Sequence, residues 1–201
     1  MNLHRNSSSI APLFMIVLFA VPAPAFAQGC NSLKTNPPTS AIDYLQHTPE
    51  PVRTADCVQE AFQIISNLPQ ADAITLLISY LGYKRPLTTG EQNGFFMHGP
   101  LPDVLYPAVE DLTKIGTSAE PALLDFVAAQ GNIETLESKN ALYTLSLIHH
   151  GNLPALIKEI NRRSATLAGT SMADNLHDAV ATLLRQCLGD LKSKCEQAAR
   201  Q

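Results

Sequence analysis

The chain is poor in the features that would name a chemistry. Basic clusters are scarce: the 14 Lys and Arg residues are dispersed, none of their runs exceeds Arg162-Arg163, and 18 Asp and Glu leave a formal net charge of −4. A polyanion is held by concentrated positive charge, so nucleic acid is excluded as the expected partner. Long apolar runs are absent too. The apolar run from Ile10 to Val21 covers about 12 residues, well under the roughly 20 that a membrane-spanning helix requires, so no transmembrane anchor is expected. No pair of cysteines has the Cys-x-x-Cys spacing of a redox centre or a zinc knuckle. No Gly-x-Ser-x-Gly elbow occurs, and no glycine loop opens a helix to cradle phosphate. Sustained alternation bounded by hairpin turns is missing as well, which leaves an all-α class.

What is present begins with an export signal. Arg5 supplies a positive charge, Ile10 to Val21 the apolar run, Pro22 and Pro24 its end, and Ala25-Phe26-Ala27 the small-residue exit, so residues 1–27 read as a cleaved signal peptide. A rival cut before a lipidated Cys30 is disfavoured, because Gln28 is bulky and polar where such sites carry a small residue. The destination is the periplasm or the cell exterior. Removal of 27 residues leaves 174, enough for one domain with its own core. Only Arg5 is lost among the charges, so the mature balance is 13 basic against 18 acidic residues, or −5.

All four cysteines, Cys30, Cys57, Cys187 and Cys195, fall in that exported part, where pairing is favoured. Three connectivities are open; Cys30–Cys57 with Cys187–Cys195 is preferred because each closes a short loop at one end of the chain. Residues 28–53 form a lead with one short helix, capped by Ser40 and carrying Ala41, Ile42 and Leu45. Residues 54–201 form a helical domain whose first helix is capped by Thr54, with an inserted loop at 83–102. A third helix, from about Gln70, is expected to stop at Gly82.

From Val104 onward an internal match appears. Ala108, Leu112, Ile115, Pro121, Ala122, Leu123, Leu124 and Val127 are each followed 33 residues later by Ala141, Leu145, Ile148, Pro154, Ala155, Leu156, Ile157 and Ile160. Each copy reads as a helix, a turn with glycine (Gly116, Gly151), and a second helix with proline in its first turn. A weaker copy lies 47 residues upstream around Ala61, Ile65 and Leu68, and a degenerate one follows at Val180, Leu184 and Cys187, as a terminal cap should. One straight helix over 171–200 would hold Cys187 and Cys195 about 12 Å apart, at about 1.5 Å per residue. A turn at Gly189-Asp190 would let them bond.

The segment from Ala108 to Val127 resembles a HEAT or HEAT-like repeat. Leu112-Thr113-Lys114-Ile115-Gly116 matches the end of that family's first helix and Pro121-Ala122-Leu123-Leu124 the start of its second, although Thr117 and Asn152 stand where the family usually has an acidic residue. The resemblance implies a short solenoid of antiparallel helix hairpins, about seven to nine helices, serving as a non-enzymatic interaction scaffold with another protein as its partner and no cofactor. The alternative is an exported enzyme or metal-binding protein using His98, His149, His150 or His177.

His149-His150 point about 100° apart on a helix, so a shared metal is disfavoured and a polar helix end is the plainer reading. Asp174 and His177, three apart, can meet on one helix face. Phe95, Phe96, Met97 and His98 lie in the inserted loop, which is longer than a helix hairpin needs. They form a candidate binding loop or, alternatively, a plug over the first hairpin.

Overall fold

Thr54 caps a helix as expected: its hydroxyl oxygen accepts from the Cys57 N–H at 3.3 Å at the start of the helix Ala55–Ser66. The computed structural model describes residues 30–88, 90, 91 and 102–201. The signal segment 1–27 and the candidate loop Phe95, Phe96, Met97 and His98 lie outside the described residues. The described residues form helices and turns, with ten α-helices and no strand among them.

These are α1 (Pro37–His47), α2 (Ala55–Ser66), α3 (Gln70–Ser79), α4 (Pro102–Leu105), α5 (Pro107–Ile115), α6 (Glu120–Ala129), α7 (Leu136–Ile148), α8 (Leu153–Thr166), α9 (Ser171–Gln186) and α10 (Leu191–Ala199). Ten exceeds the seven to nine expected, and α4 is a single turn. Two ends shift from their sequence-based positions. α1 starts at Pro37 rather than behind Ser40, because proline presets the first-turn geometry and its missing N–H costs nothing there. α3 stops at Ser79, short of Gly82, and the Leu81 carbonyl beyond it is closed by a side chain of α7: Asn140 Nδ2 donates to it at 2.6 Å.

α1 packs on α2, and α2 and α3 pack on α5. α7 lies against both α5 and α6, and α9 against both α6 and α8. One continuous apolar core runs through this stack. The 33-residue match is visible in burial: Ala108, Leu112, Leu123 and Val127, and their counterparts Ala141, Leu145, Leu156 and Ile160, are all 0% exposed. Apolar spacing in the sequence therefore becomes one shared interior.

Both copies also end their first helix at the same place, Ile115 and Ile148, but by different means. Gly116 takes φ +72°, ψ −143°, a conformation open to glycine alone. In the second copy the His150 N–H bonds the Leu147 carbonyl at 2.9 Å and the Gly151 N–H the Ser146 carbonyl at 2.8 Å, a Schellman closure. It places His150 at φ +53°, in the left-handed region that L-residues other than glycine enter at a cost.

Cys30 is bonded to Cys57 and Cys187 to Cys195. The turn at Gly189-Asp190 separates α9 from α10 and brings the second pair to a Cα–Cα distance of 6.5 Å. Near the first disulfide, Phe62 is fully buried against the rings of Tyr80 and Tyr83, at 5.9 and 5.7 Å between centroids.

The stem of the insertion is pinned. The Arg85 N–H donates to the Leu105 carbonyl at 3.0 Å, its Nε to the Val104 carbonyl at 2.7 Å, and its guanidinium grips Glu91 with both terminal nitrogens. The guanidinium bonds, with the Thr88 N–H next, hold the Glu91 carboxyl at a pKa of about 2.

Candidate functional site

At the C-terminal end of the stack, α8, α9 and α10 enclose a groove of about 600 Å³. α8 shows the core Leu156, Ile157 and Ile160 on one side and turns Asn161, Ser164 and Ala165 toward the groove. Glycine at 169, with φ +82°, lets the chain reverse into α9, whose N-cap Thr170 accepts from the Ala173 N–H. α9 then contributes Ala173, Asp174, His177, Val180, Ala181 and Leu184, and the end of α10 adds Ala199 and Arg200.

The groove lining is thus small and apolar, with polar groups gathered around Ser164. Ser164 is 3% exposed, and its Oγ lies 3.0 Å from His177 Nε2 and 3.3 Å from the Ala173 carbonyl oxygen. One hydroxyl proton serves both neighbours. When Nε2 carries a proton, Ser164 accepts from it and donates to Ala173; when Nε2 is bare, Ser164 donates to His177 instead. Asn161 Nδ2 donates to the Ala198 and Ala199 carbonyls at 3.2 and 3.1 Å, fixing the end of α10 as one wall.

The histidines foreseen as reactive are scattered. His149 Nε2 meets Glu120 Oε1 at 2.7 Å, joining the end of α7 to the start of α6. His150 is exposed at its left-handed turn, and His177 stands in the groove a helix away. His177 makes its bond to Ser164, not to Asp174, its expected neighbour on the same helix face. Among the described residues no group of three His, Cys, Asp or Glu side chains is placed to hold a metal ion.

Ser164, Asn161 and the alanines of the groove gave no sequence signal of their own. Their meeting depends on how three helices cross, and a lone mid-helix serine reads as surface. The one available hint was the turn at Gly189-Asp190, which folds α10 back toward α8.

A cavity of about 700 Å³ lies where the start of α2 faces Pro86, Leu87 and Thr88. Its Arg53 is engaged by the Thr48 carbonyl and stacks over the Tyr83 ring at 5.2 Å. The C-terminal groove instead combines apolar lining with converging polar groups, the usual make-up of a binding site. No helix of the described residues is long and apolar enough to cross a membrane. The chain matches no family model, no curated protein and no solved structure.

Proposed function

We propose that this chain is an exported, non-enzymatic protein-interaction module built from HEAT-like helix pairs, and that its partner sits in the groove between α8, α9 and α10. The observation that carries the proposal is that groove. Alanines, Val180 and Leu184 offer apolar area beside the packed core, and Asn161, Asp174, His177 and Arg200 border it with groups able to orient a partner. Protein interfaces combine an apolar centre with a polar rim in this way. Export is supported by the signal-like residues 1–27 and by two disulfides, which persist in oxidising compartments.

A photo-crosslinking residue placed at Ala181, inside the groove, should capture a protein in the exported fraction, whereas one at Lys158, on the exposed side of α8, should not. Ala181→Arg fills the groove and should abolish capture at a neighbouring position. Equal capture from both sites would remove the reading.

The second reading, an exported enzyme using a histidine, is favoured by one observation, the Ser164–His177 bond. An activated serine also needs a group that orients the imidazole and donors that receive the oxyanion. Among the described residues no carboxylate bonds His177, and the Ser164 hydroxyl is shared with the Ala173 carbonyl. Turnover of activated esters that disappears in Ser164→Ala and His177→Ala would decide for the enzyme.

A further inference from the structure

The wall formed by α10 is lightly buried. α10 has nine residues, of which only Cys195 and Ala198 are buried, with Leu191 and Ala199 partly so. A helix shorter than about 12 residues is marginal by itself in water. Its exposed residues Lys192, Ser193, Lys194, Glu196 and Gln197 contribute no apolar packing. Cys195, Ala198, Leu191 and Ala199 lay α10 against α8, and two further attachments hold it there: the disulfide from Cys195 to Cys187 at the end of α9, and the two hydrogen bonds from Asn161 to the carbonyls of Ala198 and Ala199.

The Asn161 bonds cannot form until the last turn of α10 is already in place, so they depend on whatever brings the segment back. The chain reverses through Leu188-Gly189-Asp190, all exposed, with Gly189 at φ +55° and Leu188 77% exposed, so the turn brings no packing of its own.

We infer that the groove is completed only when Cys187 and Cys195 are oxidised to a disulfide, so that binding competence is acquired during maturation in an oxidising compartment. This rests on reading the groove as the binding site and names how that site is switched on. The oxidant is a disulfide carrier, whose two sulfurs are reduced as the two cysteines are oxidised. One cysteine thiolate attacks the carrier disulfide, forming a mixed disulfide and releasing one carrier thiolate. The second cysteine thiolate then attacks the first cysteine's sulfur and displaces the other carrier sulfur.

Before that exchange, α8 and α9 keep the core they share, since the two helices pack on each other and α9 packs on α6, with Leu156, Ile157, Ile160, Leu176, Ala179 and Leu183 buried in that core. Residues 191–201 are then released, and the groove is open on one side. Afterwards Cys195 is 0% exposed and Cys187 3% exposed, so small thiols do not easily undo the bond.

The test is hydrogen exchange on the full chain carrying Cys187→Ser and Cys195→Ser, compared with the oxidised wild type. Amides of 191–199 should lose protection by about tenfold or more, while those of α5, α7, α8 and the body of α9 stay within about threefold of wild type. Unchanged protection in α10 would overturn the inference, since the wall would then stand without its disulfide. Loss of protection throughout the molecule would overturn it equally, because the effect is confined to α10. The measurement reads the wall and not a partner, so a groove that captures nothing leaves this result standing and sinks only the interaction proposal.

Discussion

The segments 107–129 and 136–166 are aligned by the same 33-residue offset, yet they differ in almost everything outside their interiors. Ala108 and Ala141, Leu112 and Leu145, Leu123 and Leu156, Leu124 and Ile157, and Val127 and Ile160 agree in burial. Their beginnings, ends and polar contacts do not agree. α5 starts on Pro107 with no side-chain cap, whereas α7 starts on Thr135, whose oxygen accepts from the Ser138 N–H at 3.2 Å. α5 ends on a glycine, α7 on two histidines and then a glycine. The difference teaches that the shared interior fixes which side chains point inward, and that helix ends are closed by whatever local chemistry reaches them.

The largest expected effect tests the equivalence itself. Leu112 and Leu145 are both 0% exposed, so Leu112→Ala and Leu145→Ala should each cost about 3–5 kcal/mol and agree within about 1 kcal/mol. Urea unfolding measures both. A cost near zero for either would mean that its site is not a packed interior, and the comparison would end there.

A smaller effect separates the copies. Asn140 is 4% exposed and gives its amide to the Leu81 carbonyl, while the position 33 residues earlier is Pro107, which has no such group. Asn140→Ala strands a buried carbonyl and should cost about 1–3 kcal/mol. Asn175 does the same for the Ala128 carbonyl at 2.7 Å, and Ala128 lies 47 residues after Leu81, the offset of the weaker upstream copy. Asn175→Ala should therefore destabilise in the same direction. If neither change alters the unfolding midpoint, these amides do not tie the stack together.

These residues also mark where the sequence stops being legible. Helix periodicity, the Thr54 cap, the reversal at Gly189-Asp190 and the approach of Cys195 to Cys187 follow from local spacing, because the determining groups lie within a few turns of one another. Asn140 and Leu81 are 59 residues apart, Asn175 and Ala128 are 47 apart, and the groove needs α8, α9 and α10 to cross. No local rule encodes such meetings. His177 illustrates it on a small scale: spacing along α9 offers Asp174, but the crossing of α8 supplies Ser164 at 3.0 Å.

The start of α7 gives the next effect. Thr135→Ala removes the cap on Ser138 N–H and should cost about 1 kcal/mol. The corresponding start of α5 relies on Pro107, so Tyr106, its N-cap residue, contributes no cap bond to lose. Thermal unfolding of Thr135→Ala and Tyr106→Ala would sharpen the contrast only if the loss of the Tyr106 ring is read separately from the loss of a cap. Hydrogen exchange in the first turn of α7 gives that local readout: it should rise in Thr135→Ala and stay unchanged in Tyr106→Ala.

The smallest effect has the opposite sign. His150 occupies φ +53° at the position of a Schellman closure where glycine is the usual residue, and its side chain is exposed. His150→Gly relieves the steric cost of that conformation, which for an L-residue is roughly 1 kcal/mol, and gives back part of the gain because glycine is freer in the unfolded chain. The net expectation is a stabilisation of about 0.5 kcal/mol, seen as a small rise in the unfolding midpoint, with the His149–Glu120 contact intact. The same change at His149, whose φ of −84° is ordinary, should instead destabilise, because it deletes that contact and frees the backbone for no steric gain. Opposite signs at two neighbouring histidines would show that the second copy keeps its turn by straining one residue and using the other. Equal signs would mean that the strain at His150 is not what separates it from Gly116.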